Sequence, residues 1–133
     1  MMGKIDMKKL VVDTNFLLVP FYFNVDVFDQ LFSLLEEPFK IVVGTNVIAE
    51  LDRLRRGKGK AAKGASVALL FIEKYKKFVE VVEGKGDVDR WIVRYAKENN
   101  GIVCTNDIRL KEMAKANGLN VIVLKGKARI DFA

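Results

Sequence analysis

Four acids recur at comparable places along this chain. Asp13 closes the apolar run Leu10-Val11-Val12, and Asp107 lies three residues beyond the run Ile102-Val103-Cys104. Glu50 and Asp89 stand inside amphipathic segments that follow two further apolar runs. Carboxylates brought together repel, and one of a close pair ordinarily keeps a proton. A hard divalent cation removes that cost and takes oxygen donors alone. Histidine is absent and Cys104 is the sole cysteine. Ser-His-Asp and Cys-His catalysis, imidazole ligation and Cys-rich zinc sites are therefore excluded. If the four acids meet, the chemistry they support is hydrolysis by a metal-activated water, with no protein nucleophile.

Each acid also has a local explanation. Asp13, Thr14 or Asn15 can simply cap a helix. Glu50, with Val47, Arg53 and Leu54 three and four positions away, can be an acid at the rim of an apolar face. Asp89 and Asp107 can complement helix dipoles. Asp52 is roughly 200° from Glu50 around the helix and should face solvent. Asp87 reads as an exposed cap. What shifts the balance is where the elements place the four acids.

Strands and helices alternate. Lys9 to Asp13 is the first strand, Phe39 to Val43 the second, Phe78 to Val82 the third, Ile102 to Cys104 the fourth and Asn120 to Leu124 the fifth. Between them lie a short helix from Thr14 that Pro20 ends, a helix over Asp26–Leu35, and one over Asn46–Leu54 with Thr45 as N-cap. Arg55 to Gly64 reads as a mobile basic loop leading into a helix over Ala61–Lys77, with Val67, Leu70, Phe71 and Lys74 on successive turns. A helix from Asp87 to Asn99 and another from Thr105 to about Asn117 complete the order, and residues 125–133 form a basic tail. This alternation predicts an α/β fold with a parallel sheet covered on both faces. Such sheets bind ligands outside the carboxyl ends of their strands. Each strand-to-helix crossing then delivers one acid to that edge.

The chain has 133 residues and a net charge of +6. That length suits one domain, residues 1–133 with a core over about 9–127. A basic body around an acidic hole suits a phosphodiester substrate, because the surface can hold the backbone while the site acts on phosphorus. The basic stretch Arg53, Arg55, Arg56, Lys58, Lys60 and Lys63 is the candidate RNA-binding surface. The longest apolar run, Phe16 to Phe23, contains Pro20 and is too short for a membrane span, so a cytoplasmic protein with no membrane association is expected. That run is either a dimer or partner-protein surface or core beneath the first helix, with core favoured; a homodimer is expected. Trp91, Tyr95 and Cys104 read as core.

The motifs resemble the PIN domain of metal-dependent ribonucleases. Val12-Asp13-Thr14-Asn15 is similar to the family's opening motif and Val47-Ile48-Ala49-Glu50-Leu51 to its second. Asp89-Arg90-Trp91-Ile92 with Ala96, then Cys104-Thr105-Asn106-Asp107 with Leu110, are similar to the third and fourth. The resemblance implies a Rossmann-like, three-layer fold with a five-stranded, mostly parallel sheet of order 3-2-1-4-5. It implies a Mg²⁺ or Mn²⁺ site built on Asp13, Glu50, Asp89 and Asp107, with Thr105 and Asn15 as polar support, and an endoribonuclease activity. Many members have two consecutive acids in the third motif where this chain has Asp89-Arg90; Arg90 is instead a candidate phosphate contact. The segment Val121 to Lys127 resembles the branch that processes ribosomal RNA, and related archaeal proteins are VapC-type toxins. The partners implied are RNA and either an antitoxin protein or a ribosomal-precursor particle. The rival reading is a catalytically weak PIN domain serving as an RNA-binding or assembly module. A phosphorylation receiver domain is disfavoured, because Val82-Glu83 stands where its acceptor aspartate would be.

Overall fold

The computed structural model describes residues 7–133. Strands β1 (Lys8–Val12), β2 (Phe39–Gly44), β3 (Val79–Val82), β4 (Ile102–Cys104), β5 (Val121–Lys125) and β6 (Arg129–Phe132) form one sheet of order β3-β2-β1-β4-β5-β6. The first five pair in parallel, in the predicted order, and β6 adds an antiparallel edge. β1 is central: Leu10 stands beside Ile41 on one side and Ile102 on the other. Its Leu10, Val11 and Val12 are buried, as a strand covered on both faces requires.

Helices α1 (Thr14–Phe23), α2 (Val27–Leu34), α3 (Thr45–Arg55) and α4 (Gly59–Lys74) share a core with Leu10, Val12, Ile41 and Val43 on one face of the sheet. Helices α5 (Val88–Glu98) and α6 (Ile108–Ala116) pack with Val11, Val42, Val103 and Val121 on the other. Alternate residues of each strand thus feed two separate cores. No helix among the described residues is long and apolar enough to cross a membrane.

Several local expectations need correction. The basic tail is strand β6. Gly126 and Lys127 take positive φ angles and turn the chain, Ile130 is buried, and Gln30 of α2 holds the strand. The Gln30 side chain donates to Ala128 O at 3.1 Å and accepts from Ile130 N at 2.7 Å. Four residues carry little periodicity by themselves; the strand pairs with β5, and Gln30 anchors it from 100 positions away. Pro20 lies inside α1 and does not end it. The missing N–H costs one bond, and the buried Phe16, Leu17, Leu18 and Val19 hold the helix through it to Asn24, whose φ is 52°. Most of the Phe16–Phe23 run is therefore core, with Tyr22 exposed.

The predicted basic loop is mostly helix. Only Gly57 and Lys58 separate the end of α3, capped at Arg56, from α4. Lys60 and Lys63 sit on the first turns of α4. The fully buried face of α4 is small, Gly64, Ala65 and Ala68, while Phe71 of the expected stripe packs against the core and stacks on Phe28. A Cβ on Gly64 would meet the Phe21 ring at 3.1 Å, so glycine there lets α4 lie close on α1. Leu70, from the expected apolar stripe, is 69% exposed. Thr45 is the first residue of α3, with Gly44 as N-cap. Its hydroxyl instead accepts from Gly84 N at 3.0 Å, tying the β2–α3 crossing to the β3–α5 turn.

Candidate active site

Asp13 ends β1 at the carboxyl edge and is 4% exposed. It serves both as a cap and as a wall of a cleft. One carboxylate oxygen accepts from Phe16 N at 2.8 Å and caps α1. The other accepts from the Thr105 hydroxyl at 2.6 Å. Thr105 is fully buried just past β4, and its Oγ1 also accepts from Asp107 N at 2.9 Å. Asp107 in turn caps α6, accepting from Arg109 N at 2.8 Å and Leu110 N at 3.3 Å. Two adjacent strand ends are thus locked by one chain of hydrogen bonds, from α1 through Asp13, Thr105 and Asp107 to α6.

On the other side of β1, Thr14 donates its hydroxyl to the Glu50 carboxylate, drawing α3 toward the start of α1. Glu50 also faces Arg53 at 3.9 Å. Asp87 caps α5 by accepting from Arg90 N at 3.1 Å, and Asp89 lies in the first turn of that helix. The β2–α3 and β3–α5 crossings approach closely. A Cβ on Gly44 would lie 2.7 Å from the Trp91 ring, and one on Gly84 would lie 3.1 Å from it.

These crossings open onto a cleft of about 340 Å³. Asp13, Glu50, Asp89 and Asp107 all line it, with Thr14, Asn15 and Asp87. The four acids chosen from the sequence do reach one place, and Asp87, which reads from the sequence as an exposed cap with its part in the site left open, joins them. Thr105 is buried behind Asp13 and supports it without lining the cleft. Leu18, Leu54 and Val88 complete the walls. Arg109 was missed by sequence reasoning; its charge acts on Asp89, and its place two residues after Asp107 was the available signal.

The electrostatics follow from this crowding. Burial pushes the Asp13 carboxyl up to about 6; the Thr105 and Phe16 hydrogen bonds oppose the rise, and the charges of Asp89 and Asp107 add to it. Asp89 is raised by burial, then by Asp107, Asp87 and Glu50, with Arg109 opposing. The cleft therefore holds excess negative charge that protons or a cation must balance. Its donors are all oxygen, which suits a hard divalent ion. Among the described residues no three His, Cys, Asp or Glu side chains close on a single point as a ready cage.

The basic residues chosen from the sequence do not form one surface. Arg55 and Arg56 are both paired with Asp52, Arg56 at 2.8 Å. Arg53 stands at the cleft beside Glu50. Lys58, Lys60 and Lys63 are exposed at the α3–α4 corner. Arg90 is exposed on α5, which packs on the opposite face of the sheet from α3 and α4.

An open α/β sheet with buried and partly buried acids gathered at its carboxyl edge defines a PIN-like architecture. The chain belongs to the PIN-like domain family, whose pattern matches residues 10–127. It is 37% identical over 125 residues to the ribonuclease VapC4 of Methanocaldococcus jannaschii, spanning 91% of this chain and 93% of that protein. It is 36% identical over 123 residues to the ribonuclease VapC9 of Archaeoglobus fulgidus, spanning 90% and 85%. Among solved structures it resembles the PIN domain endonuclease Utp24, with a TM-score of 0.73 and 20% identity over 93% of this chain and 90% of that one. At that identity the likeness is one of fold.

Proposed function

We propose that this protein is a metal-dependent endoribonuclease of the VapC type, built on Asp13, Glu50, Asp89 and Asp107. The observation that carries the reading is the convergence of those four acids, from four different crossings, on one cleft. The two archaeal relatives named as ribonucleases support it, because the similarity runs through nearly their whole length.

The residues present divide the work. A bound Mg²⁺ or Mn²⁺ would supply an activated water and counter-charge for the phosphate. Asp13 offers a buried carboxylate fixed by the Thr105 hydroxyl and the Phe16 N–H, so its oxygens lose little freedom when they ligate. Glu50, held by Thr14, and Asp107, held by the first turn of α6, supply the other walls. Asp89, raised from the usual carboxylate range, is the acid best suited to accept a proton from the attacking water. Hydrolysis forms one bond from water oxygen to phosphorus and breaks the bond to the leaving ribose oxygen. Asn15, exposed beside Asp13, is placed to orient substrate.

The VapC relatives favour a toxin over a ribosomal-RNA processing nuclease, since the likeness to Utp24 is a likeness of fold. A protein antitoxin is the partner this assigns.

The deciding experiment is cleavage of labelled RNA with Mg²⁺ or Mn²⁺, with EDTA and Asp13→Asn as controls. Cleavage lost under both controls is the expected outcome. Cleavage that survives either one overturns the mechanism. Tight RNA binding without cleavage in any metal would make the protein an RNA-binding module.

A further inference from the structure

The face of the sheet opposite α3 and α4 carries a second feature of the surface. A groove of about 420 Å³ runs between α5 and α6. Arg90, Arg94 and Lys97 line it from α5, at spacings of four and three residues that put all three on one helical face. They extend about 10 Å along the helix, the length of some three stacked nucleotides at about 3.4 Å each. Val93 and Met113 give the groove an apolar lining. Asn117 and Glu98 lie at its far end; Lys97 donates to the Asn117 side chain at 3.2 Å. Arg109 falls on the same stripe of α6 as Met113 and Asn117, nearer the start of that helix.

The Arg90 end of the groove lies in the first turn of α5, the turn that also carries Asp89. Arg90 follows Asp89 directly, and Arg109 lies two residues after Asp107. None of Arg90, Arg94, Lys97 and Arg109 makes an ion pair among the described residues. This differs from the α3–α4 corner, where Arg55 and Arg56 already share Asp52. Unpaired cations exposed along a groove with an apolar lining match a chain that carries a charge at each step and a flat face between charges. A single strand offers both, whereas a duplex hides its bases.

We propose that the α5–α6 groove is the track that leads single-stranded RNA to the acidic cleft, with Arg94 and Lys97 contacting phosphates beyond the cut site. The proposal rests on the ribonuclease reading and adds the path of the substrate. Arg94 and Lys97 bind substrate and take no part in chemistry.

The test is fluorescence anisotropy of a short labelled single-stranded RNA on the Asp13→Asn background, chosen to suppress cleavage, across a salt series. Arg94→Ala and Lys97→Ala should each weaken binding and make the slope of log affinity against log salt shallower by about 0.7, and the double variant by about twice that. Arg94→Lys should keep the slope. Lys58→Ala with Lys60→Ala gives the comparison at the α3–α4 corner. A slope unmoved by the Arg94→Ala Lys97→Ala pair in folded protein overturns the track, and equal affinity for a duplex of the same length overturns the single-strand assignment. A protein that neither binds nor cleaves RNA with either metal removes the ribonuclease reading itself. RNA binding whose slope ignores the groove removes only the track.

Discussion

Thr105 donates its hydroxyl to the Asp13 carboxylate at 2.6 Å, although 92 positions separate the two residues. The bond joins the ends of β1 and β4, which lie side by side in the sheet. It is one of the interactions that hold the Asp13 proton affinity down against burial. Thr105→Val should therefore raise the Asp13 pKa further above about 6 and move the acid limb of cleavage to higher pH. It also leaves the Asp13 oxygen and the Asp107 N–H without a partner, at a cost of about 1–3 kcal/mol. Thr105→Ser should restore the wild-type pH profile; a profile that does not move in Thr105→Val sinks the assignment.

Asp13 also makes stability depend on pH. Its folded-state pKa of about 6 lies above the ordinary value of 3.8. The folded state then binds the proton more tightly than the unfolded chain. The stability this gives is fully present below pH 3.8, and it is lost as pH rises through about 6. Asp13→Asn removes the ionisation while keeping an acceptor for the Phe16 N–H. In metal-free buffer the variant should match wild type near pH 4 and exceed it by on the order of 2–3 kcal/mol at pH 7. Urea denaturation at the two pH values measures the difference, and a variant less stable than wild type at pH 7 contradicts the burial argument.

A divalent ion should stabilise the protein by relieving the same repulsion. At about one hundred times its dissociation constant, Mn²⁺ should add about 2.7 kcal/mol, seen as a rise in Tm. The gain should shrink below pH 6, where protons compete for Asp13. It should also disappear in Asp13→Asn. Differential scanning fluorimetry with and without EDTA reads this without reference to catalysis.

Gly44 is a packing constraint on the site. Its φ of −74° is ordinary, so the need for glycine comes from space: an added Cβ would lie 2.7 Å from the Trp91 ring. Gly44→Ala should cost about 1–3 kcal/mol by forcing Trp91 aside. Because Trp91 is two residues from Asp89 and Gly44 caps the helix bearing Glu50, activity should fall alongside stability. Full activity in a destabilised Gly44→Ala protein would show that the cleft tolerates this displacement.

The parallel α/β sheet was legible in the sequence from its apolar runs, and its strand order from the resemblance of four motifs to the PIN domain. Buried parallel strands need continuous apolar runs, and a polar residue at the end of each run marks the carboxyl edge. Asp13 follows from that rule directly, while Glu50, Asp89 and Asp107 were read from their places in or at the start of the helices that follow the other strands. The absence of histidine and the single cysteine fixed the donor chemistry just as directly.

Other features depend on contacts between distant segments. Strand β6 folds back on β5 through the Gly126-Lys127 turn, and Gln30 from α2 adds two hydrogen bonds that no pattern within residues 125–133 encodes. Pro20 stays inside α1 because the core outweighs one lost hydrogen bond. The basic stretch from Arg53 to Lys63 looks uniform in sequence, yet Asp52 engages two of its arginines and α4 takes up its lysines. The opposite pattern holds on α5, where Arg90, Arg94 and Lys97 gain meaning only once α6 lies beside them. Residue order alone determined which groups could do chemistry and which edge they would share, because local periodicity sets strand ends. The tertiary structure decided how the carboxylates are spaced and which cations remain unpaired, because both are set by packing between segments far apart in the chain.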